Sequence, residues 1–364
     1  MSTILILGGY GATGRLLTKH LLTQTAVDIV IAGRNLEKAR SFVGSLGSPR
    51  LSARQADASD PLTLESAFQG VNLCLVAAPA THQAETVVRA CLEAGVDYLD
   101  IQFSTRKLAA LYASQEEIQR SGLCFVSEAG YHPGLPAAMV RYAASQLDSI
   151  ESALTAGYLN IGPGLPYTEA VDELMEAFID YNAQVFRHGE WTGPNKWEMI
   201  KFDFGQKIGR RTCYSMFFEE LRGLPEMYPT LRDVGFYISG SNWIADLLVT
   251  PVVMLGLKIA PKRGMRPLGR LMWWAMQQSQ PPYELMLAVE AKGQKNGKPA
   301  TVRASVAHPD GYELTAIPVV AFVKQYLDGS ARCPGLHMMG HIAEPVRLFR
   351  DMKSMGVVIA EGEG

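Results

Sequence analysis

The stretch Ile4-Leu5-Ile6-Leu7-Gly8-Gly9-Tyr10-Gly11-Ala12-Thr13-Gly14-Arg15 decides the fold. An apolar run ends in G-x-G-x-x-G at Gly9, Gly11 and Gly14, and a helical pattern follows at once through Leu16, Leu17, His20 and Leu21. This is the pattern of a first strand, a tight turn, and a helix whose N-terminus points at the turn. Free backbone N–H groups there, with the positive end of the helix dipole, make a place for a pyrophosphate. Gly9 is expected to allow the turn, Gly11 the close approach of phosphate, and Gly14 the packing of helix on strand. Tyr10, Ala12 and Thr13 belong to the same candidate cofactor site.

Outward from this turn, apolar runs alternate with helical periods. The pattern predicts strands near 3–7, 28–32, 51–55, 72–76, 97–101 and 123–127, with helices at 35–46, 83–94 and 105–120. Such alternation implies βαβ units and a doubly wound parallel sheet of the Rossmann type. Ligands bind outside the carboxyl ends of such strands. The segments that follow the strands, rich in Gly, Pro and short polar residues, therefore form one expected rim. They are Gly8–Gly14, Gly33-Arg34-Asn35, Asp57-Ala58, Ala77–His82, Asp100–Ser104 and Glu128–Gly134.

The second strand indicates which dinucleotide is held. An NAD site places a carboxylate at its end, roughly 20 residues past the glycines, on the ribose 2′-OH. Here Gly33 and Arg34 stand in that place, with Asn35 next to them. A guanidinium there pairs with a 2′-phosphate, so NADP(H) is the expected cofactor.

At Ala32-Gly33-Arg34-Asn35-Leu36-Glu37-Lys38-Ala39 and at Glu128-Ala129-Gly130-Tyr131-His132-Pro133-Gly134-Leu135, the chain resembles the saccharopine dehydrogenase/reductase family. The resemblance runs over roughly 1–145 and returns more loosely from Glu344-Pro345 to Gly356, whereas about 160–280 carries no matching motif. It implies NADP(H) contacts at Gly9, Gly11, Ala12, Thr13, Gly14, Arg34, Asp57, Ala78 and Pro79. It further implies that the nicotinamide faces Gly130–Gly134. His132 stands where the family usually has an aspartate, a departure that bears on the substrate. Short-chain dehydrogenases share a turn like Gly11-Ala12-Thr13-Gly14, but they need Y-x-x-x-K, and none of the 14 tyrosines has Lys four residues later.

The 364 residues suffice for two domains with real cores, and the net charge of −2 offers no concentrated basic face for nucleic acid. Cys74, Cys91, Cys124, Cys213 and Cys333 are scattered, form no C-x-x-C, and read as core residues of a reducing, cytoplasmic environment. Met1-Ser2-Thr3 runs straight into a strand, the pattern expected without a cleavable signal peptide. His337 and His341 have metal-pair spacing but no third ligand in view, so no metal site is expected.

A second, α+β domain with a mixed or antiparallel sheet is expected over 131–343, and the first domain is expected to be discontinuous, 1–130 plus 344–364. The second domain is predicted to hold a helix at 137–147, a strand at 150–159, and further strands at 183–188, 198–204 and 211–218. A Gly/Pro break is expected at Gly162-Pro163-Gly164-Leu165-Pro166, a solvated helix face at Asp172, Glu173 and Glu176, and a closing helix at about 312–328. Asn296-Gly297 between Tyr283–Gly293 and Ala300–Ala307 signals a hairpin. Trp243–Met276 combines an apolar run with Lys258, Lys262, Arg263, Arg266 and Arg270 and with Trp273-Trp274. It is too short and interrupted to span a bilayer. It reads as a core or dimer-interface helix pair, or as a peripheral membrane or lipid-contacting element.

The candidates for acid–base chemistry are His132, Tyr131 and Glu128, followed by Asp100 and His82. His132 leads because imidazole titrates near neutral pH. Alternatively, His132 closes its loop, Glu128 and Asp100 bind nearby N–H groups, and His82 opens the helix that follows. The sequence thus points to an NADP(H)-dependent oxidoreductase acting on a small or lipid-like substrate at the domain cleft, with a homodimer expected. A non-catalytic NADP(H) sensor and a membrane-associated trans-acting reductase component are the alternatives.

Overall fold

A computed structural model of the chain describes residues 2–164, 166–167, 169–179 and 181–363. Contacts divide it into two units, Met1–Ala138 with Gly311–Met355, and Met139–Asp310 with Gly356–Gly364.

The first unit is built on seven strands: β1 (Thr3–Leu7), β2 (Asp28–Gly33), β3 (Leu51–Gln55), β4 (Leu73–Val76), β5 (Asp97–Asp100), β6 (Cys124–Ser127) and, far along the chain, Gly335–Met338. All neighbouring pairs are parallel, and the order across the sheet is Gly335–Met338, β6, β5, β4, β1, β2, β3. Ile4 to Leu7 are all buried, as are Leu73 to Val76, because helices cover both faces of a parallel sheet. The strand order reverses between β1 and β4, and ligands bind at such a point.

Local chemistry sets the helix starts. The Asn35 side chain accepts the Lys38 N–H at 2.9 Å and opens the helix Leu36–Leu46. Asp60 and Pro61 open Pro61–Ala67 in the same manner. The helix expected over 105–120 breaks at Ser114 into Thr105–Ala113 and Gln115–Ser121.

In the second unit the central strand β7 (Ser149–Asn160) pairs parallel with Asp233–Ser239 and antiparallel with Glu284–Lys295. Glu284–Lys295 turns back into Lys298–His308 through Asn296 (φ 53°) and Gly297 (φ 70°), the left-handed pair that a two-residue hairpin needs. The result is a mixed sheet of nine strands, as expected for an α+β domain.

The expected boundaries differ from the observed division in three places, the first being that residues 131–138 belong to the first unit. The helix Gly311–Leu327 packs on Ala12–Gln24, where His20 Nε2 lies 2.6 Å from a Glu313 carboxylate oxygen, and so belongs to the first unit. The terminal strand Val358–Glu363 pairs antiparallel with Lys298–His308, in the second unit. Only Pro345–Ser354, packed on Gly311–Leu327, returns to the first unit as expected. Of the strand expected at 183–188 only Phe186–Arg187 forms. Met1 and Leu165, which fall in expected features, lie outside the described residues, as does the side chain of Glu173.

Candidate functional site

The turn after β1 is held by backbone hydrogen bonds and by Arg15 Nε, which donates to Tyr10 O at 2.8 Å. Gly8 N–H donates to Ala32 O at 2.8 Å and Gly11 N–H to Gly8 O at 2.9 Å. Gly8 is left-handed (φ 87°), and Ala78 of the segment after β4 packs where a side chain on it would stand. A Cβ on Gly8 would lie 2.7 Å from Ala78 N. Gly14 does what its spacing implied: a Cβ there would sit 2.3 Å from Gly8 O, so helix and turn touch backbone to backbone. The helix Ala12–Gln24 starts at exposed Gly11, which has no side chain to cap it. Its first N–H groups face outward, and the helix dipole adds a positive end.

Beyond the turn, an open groove of about 630 Å³ is lined by Tyr10, Arg34, Asn35, Lys38 and Gln55. The Tyr10 ring lies on Gly33, where a Cβ would come within 2.7 Å of it, and its hydroxyl accepts the Asn35 N–H at 3.1 Å. The exposed Arg34 guanidinium makes no hydrogen bond or ion pair among the described residues. Asp57 is not among the residues that line this groove. Its carboxylate accepts the Ser59 N–H (2.9 Å) and hydroxyl (2.7 Å). Those bonds, with a weaker contribution from Arg34, hold its pKa below the usual carboxylate range. These residues fit a dinucleotide carrying a 2′-phosphate: a backbone cradle for the pyrophosphate and a guanidinium beside the second strand's end.

The segments after β4, β5 and β6 are tied together by a fully buried ion pair that sequence reasoning missed. Lys107 Nζ lies 2.9 Å from Asp100 Oδ1 and donates to Gln102 O at 2.6 Å, and both side chains are fully buried. Asp100 Oδ2 accepts the Ser127 hydroxyl (2.8 Å), while Gln102 Nε2 donates to Ala78 O. Asp100 thus serves the architecture that positions Ala78 and Pro79. The available signal was a Lys at the start of a helix directly after a strand-end Asp, which does not reveal burial. His82 lies in the turn Thr81–Gln83 beside Arg106, where it opens the helix Ala84–Ala94.

The loop Glu128–Gly134 folds tightly on itself. Gly134 has φ 125°, and a Cβ there would fall 2.5 Å from Gly130 N. Glu128 is fully buried with φ 54°, a conformation costly for a residue with a side chain. The Tyr131 and His132 rings lie 4.3 Å apart. The buried Tyr131 hydroxyl has no hydrogen-bond partner, and desolvation holds its pKa well above the usual phenol value. Desolvation of the His132 ring lowers its pKa to about 4. His132 is therefore neutral at physiological pH, and the titration near pH 7 that its residue type suggested is absent.

His337 lies in the strand Gly335–Met338 and His341 in the helix Met339–Ile342, so their spacing is not helical. No cluster of metal-ligand type occurs among the described residues. Cys74, Cys91, Cys124 and Cys213 are buried. No helix among the described residues is long and apolar enough to cross a membrane.

Comparison with known proteins accords with this geometry. Residues 4–122 match the saccharopine dehydrogenase NADP binding domain. Carboxynorspermidine synthase of Vibrio cholerae is 26% identical over 91% of this chain and 89% of its own length. Carboxyaminopropylagmatine dehydrogenase of Synechocystis is 27% identical over 66% of this chain and 63% of its own. The saccharopine dehydrogenase (L-Glu forming) of Saccharomyces cerevisiae shares the fold, with a TM-score of 0.68 over 100% of both chains at 13% identity. Residues 4–122 thus form a saccharopine dehydrogenase-type NADP-binding domain, and the chain is an NADP-dependent oxidoreductase similar to the enzymes of that kind.

Proposed function

We propose that this saccharopine dehydrogenase-like oxidoreductase acts at a carbon–nitrogen centre of a small carboxylated amine. The observation that carries the reading is the pairing of a glycine-rich phosphate cradle at Gly8–Gly14 with an exposed Arg34 at the end of β2. The substrate class rests on the relatives, whose names both denote carboxylated amines and one of which aligns along most of the chain.

The nicotinamide, when bound, supplies the hydride chemistry. The protein's share is to bind, orient and handle the proton. The N–H groups of Ala12 and Thr13 would hold the pyrophosphate, and exposed Gly11 leaves its approach free of a side chain. Arg34 and Asn35 hold the 2′-phosphate, and Tyr10 walls the adenosine side. Asp57 serves by shaping the turn beside Arg34, and Ala78 and Pro79 border the cofactor on the β4 side. In the loop, Tyr131 Oη stays protonated and is the proton donor, its ring packed against the neutral His132 ring.

The test is NADPH oxidation with a panel of amine–aldehyde pairs, some bearing a carboxylate, set against unsaturated acyl thioesters. Turnover confined to carboxylated amine pairs supports the reading. Turnover only with acyl thioesters, or tight cofactor binding with no turnover, contradicts it. With the active substrate, Tyr131→Phe lowers kcat by roughly a hundredfold or more while leaving NADPH affinity intact.

A further inference from the structure

The second unit carries a helical hairpin whose outer surface is unlike the rest of the chain. A π-helical segment, Ile244–Val249, runs into the helix Thr250–Ile259, which is followed by Pro261–Met276. Its inner face is already packed: Ala245, Val249, Val253 and Leu257 are buried with Met272, Ala275 and Met175. The two long helices meet closely at Gly256, where a Cβ would lie 2.7 Å from a Leu268 methyl. The hairpin therefore does not need its other side for its own core.

That other side is apolar nonetheless. Leu248, Val252, Leu255 and Ile259, spaced as one helical stripe, are 53% to 75% exposed. Trp243, Leu247 and Trp274 are exposed to a similar degree. Exposed large apolar residues grouped in this way mark an interaction surface. Arg263, Arg266, Arg270 and Trp274 form the corresponding exposed stripe of the second helix.

Charge identifies the partner. On a chain of net charge −2, residues 243–276 hold five cations and one acid. Lys258, Arg263, Arg266 and Arg270 are exposed and have no hydrogen-bond or ion-pair partner among the described residues. The one acid, Asp246, points inward and accepts the Ser241 N–H at 3.0 Å. Asp172, on the neighbouring helix Glu169–Ile179, is engaged by the Tyr167 hydroxyl at 2.6 Å. We propose that this hairpin docks on an anionic lipid surface, its apolar stripe and tryptophans entering the headgroup boundary while the cations meet phosphates. A second copy of the chain fits less well. A two-fold interface sets a patch against itself and would bring these cations together.

The experiment is co-sedimentation of the full chain with phosphatidylcholine vesicles, with and without one third phosphatidylserine, alongside sedimentation velocity of the protein alone. Two variants on exposed positions accompany it, Leu255→Asp/Ile259→Asp and Arg263→Gln/Arg266→Gln/Arg270→Gln, each checked for an unchanged thermal melt. The expected result is binding only to the phosphatidylserine vesicles, weakened about a hundredfold by loss of three cations and abolished by the aspartates. A blue shift of tryptophan fluorescence accompanies that binding. Wild-type protein that stays in the supernatant with anionic vesicles overturns the proposal. So does a dimer that the aspartate variant dissociates, which would give the stripe to a second copy.

Discussion

The turn at Gly8–Gly14 and the loop at Glu128–Gly134 both follow strands of the same parallel sheet, and both fold back tightly on their own backbone. They differ in what supplies their chemistry. The turn works through N–H groups and the absence of side chains, so its properties lie in local residue types. The loop presents Tyr131 and His132, whose protonation depends on how packing desolvates them. A site made of backbone keeps its character wherever the fold forms. A site made of titrating side chains acquires its character only from the rest of the molecule.

The largest test of this contrast removes the support shared by the rim. Lys107→Met leaves Asp100 charged and buried without its partner and should cost about 3–5 kcal/mol in urea unfolding. A loss below about 1 kcal/mol would mean the pair does not hold the segments after β4 to β6. Next, Gly14→Val drives side-chain atoms into Gly8 O and should abolish measurable NADPH binding, with about 3 kcal/mol of destabilisation. Retained binding would show that the cradle tolerates side chains and would erase the difference between the two regions.

The loop is tested through pH. The folded pKa of His132, about 4, lies below the ordinary imidazole value, so protonation favours the unfolded chain. Its contribution is present above about pH 6.5 and is lost as pH falls towards 4, amounting to about 2–3 kcal/mol at pH 4.5. His132→Gln should flatten the stability–pH curve by that amount between pH 7.5 and 4.5. An unchanged curve would return His132 to the ordinary range.

How much of this was legible in the sequence follows the same division. The six strands after which the rim forms, the glycine turn and the place of Arg34 are local patterns, and they stand within a residue or two of where they were read. That the left-handed position is Gly8 was not legible. Two adjacent glycines offer the same freedom, and the contact that bars a side chain from Gly8 comes from Ala78, distant in sequence. The burial of Lys107 and His132 was hidden for the same reason. In the second unit, Asp233–Ser239 and Val358–Glu363 find their places by pairing with distant strands, which no local period encodes.

The most direct test of the central claim is fluorescence titration of NADPH and NADH into wild type and Arg34→Ala. Losing a charge-assisted contact worth about 1.5–3 kcal/mol should weaken NADPH binding roughly ten- to a hundredfold and leave NADH nearly unchanged. Equal affinities of the wild type for the two cofactors, or an Arg34→Ala variant that still prefers NADPH, would contradict the account.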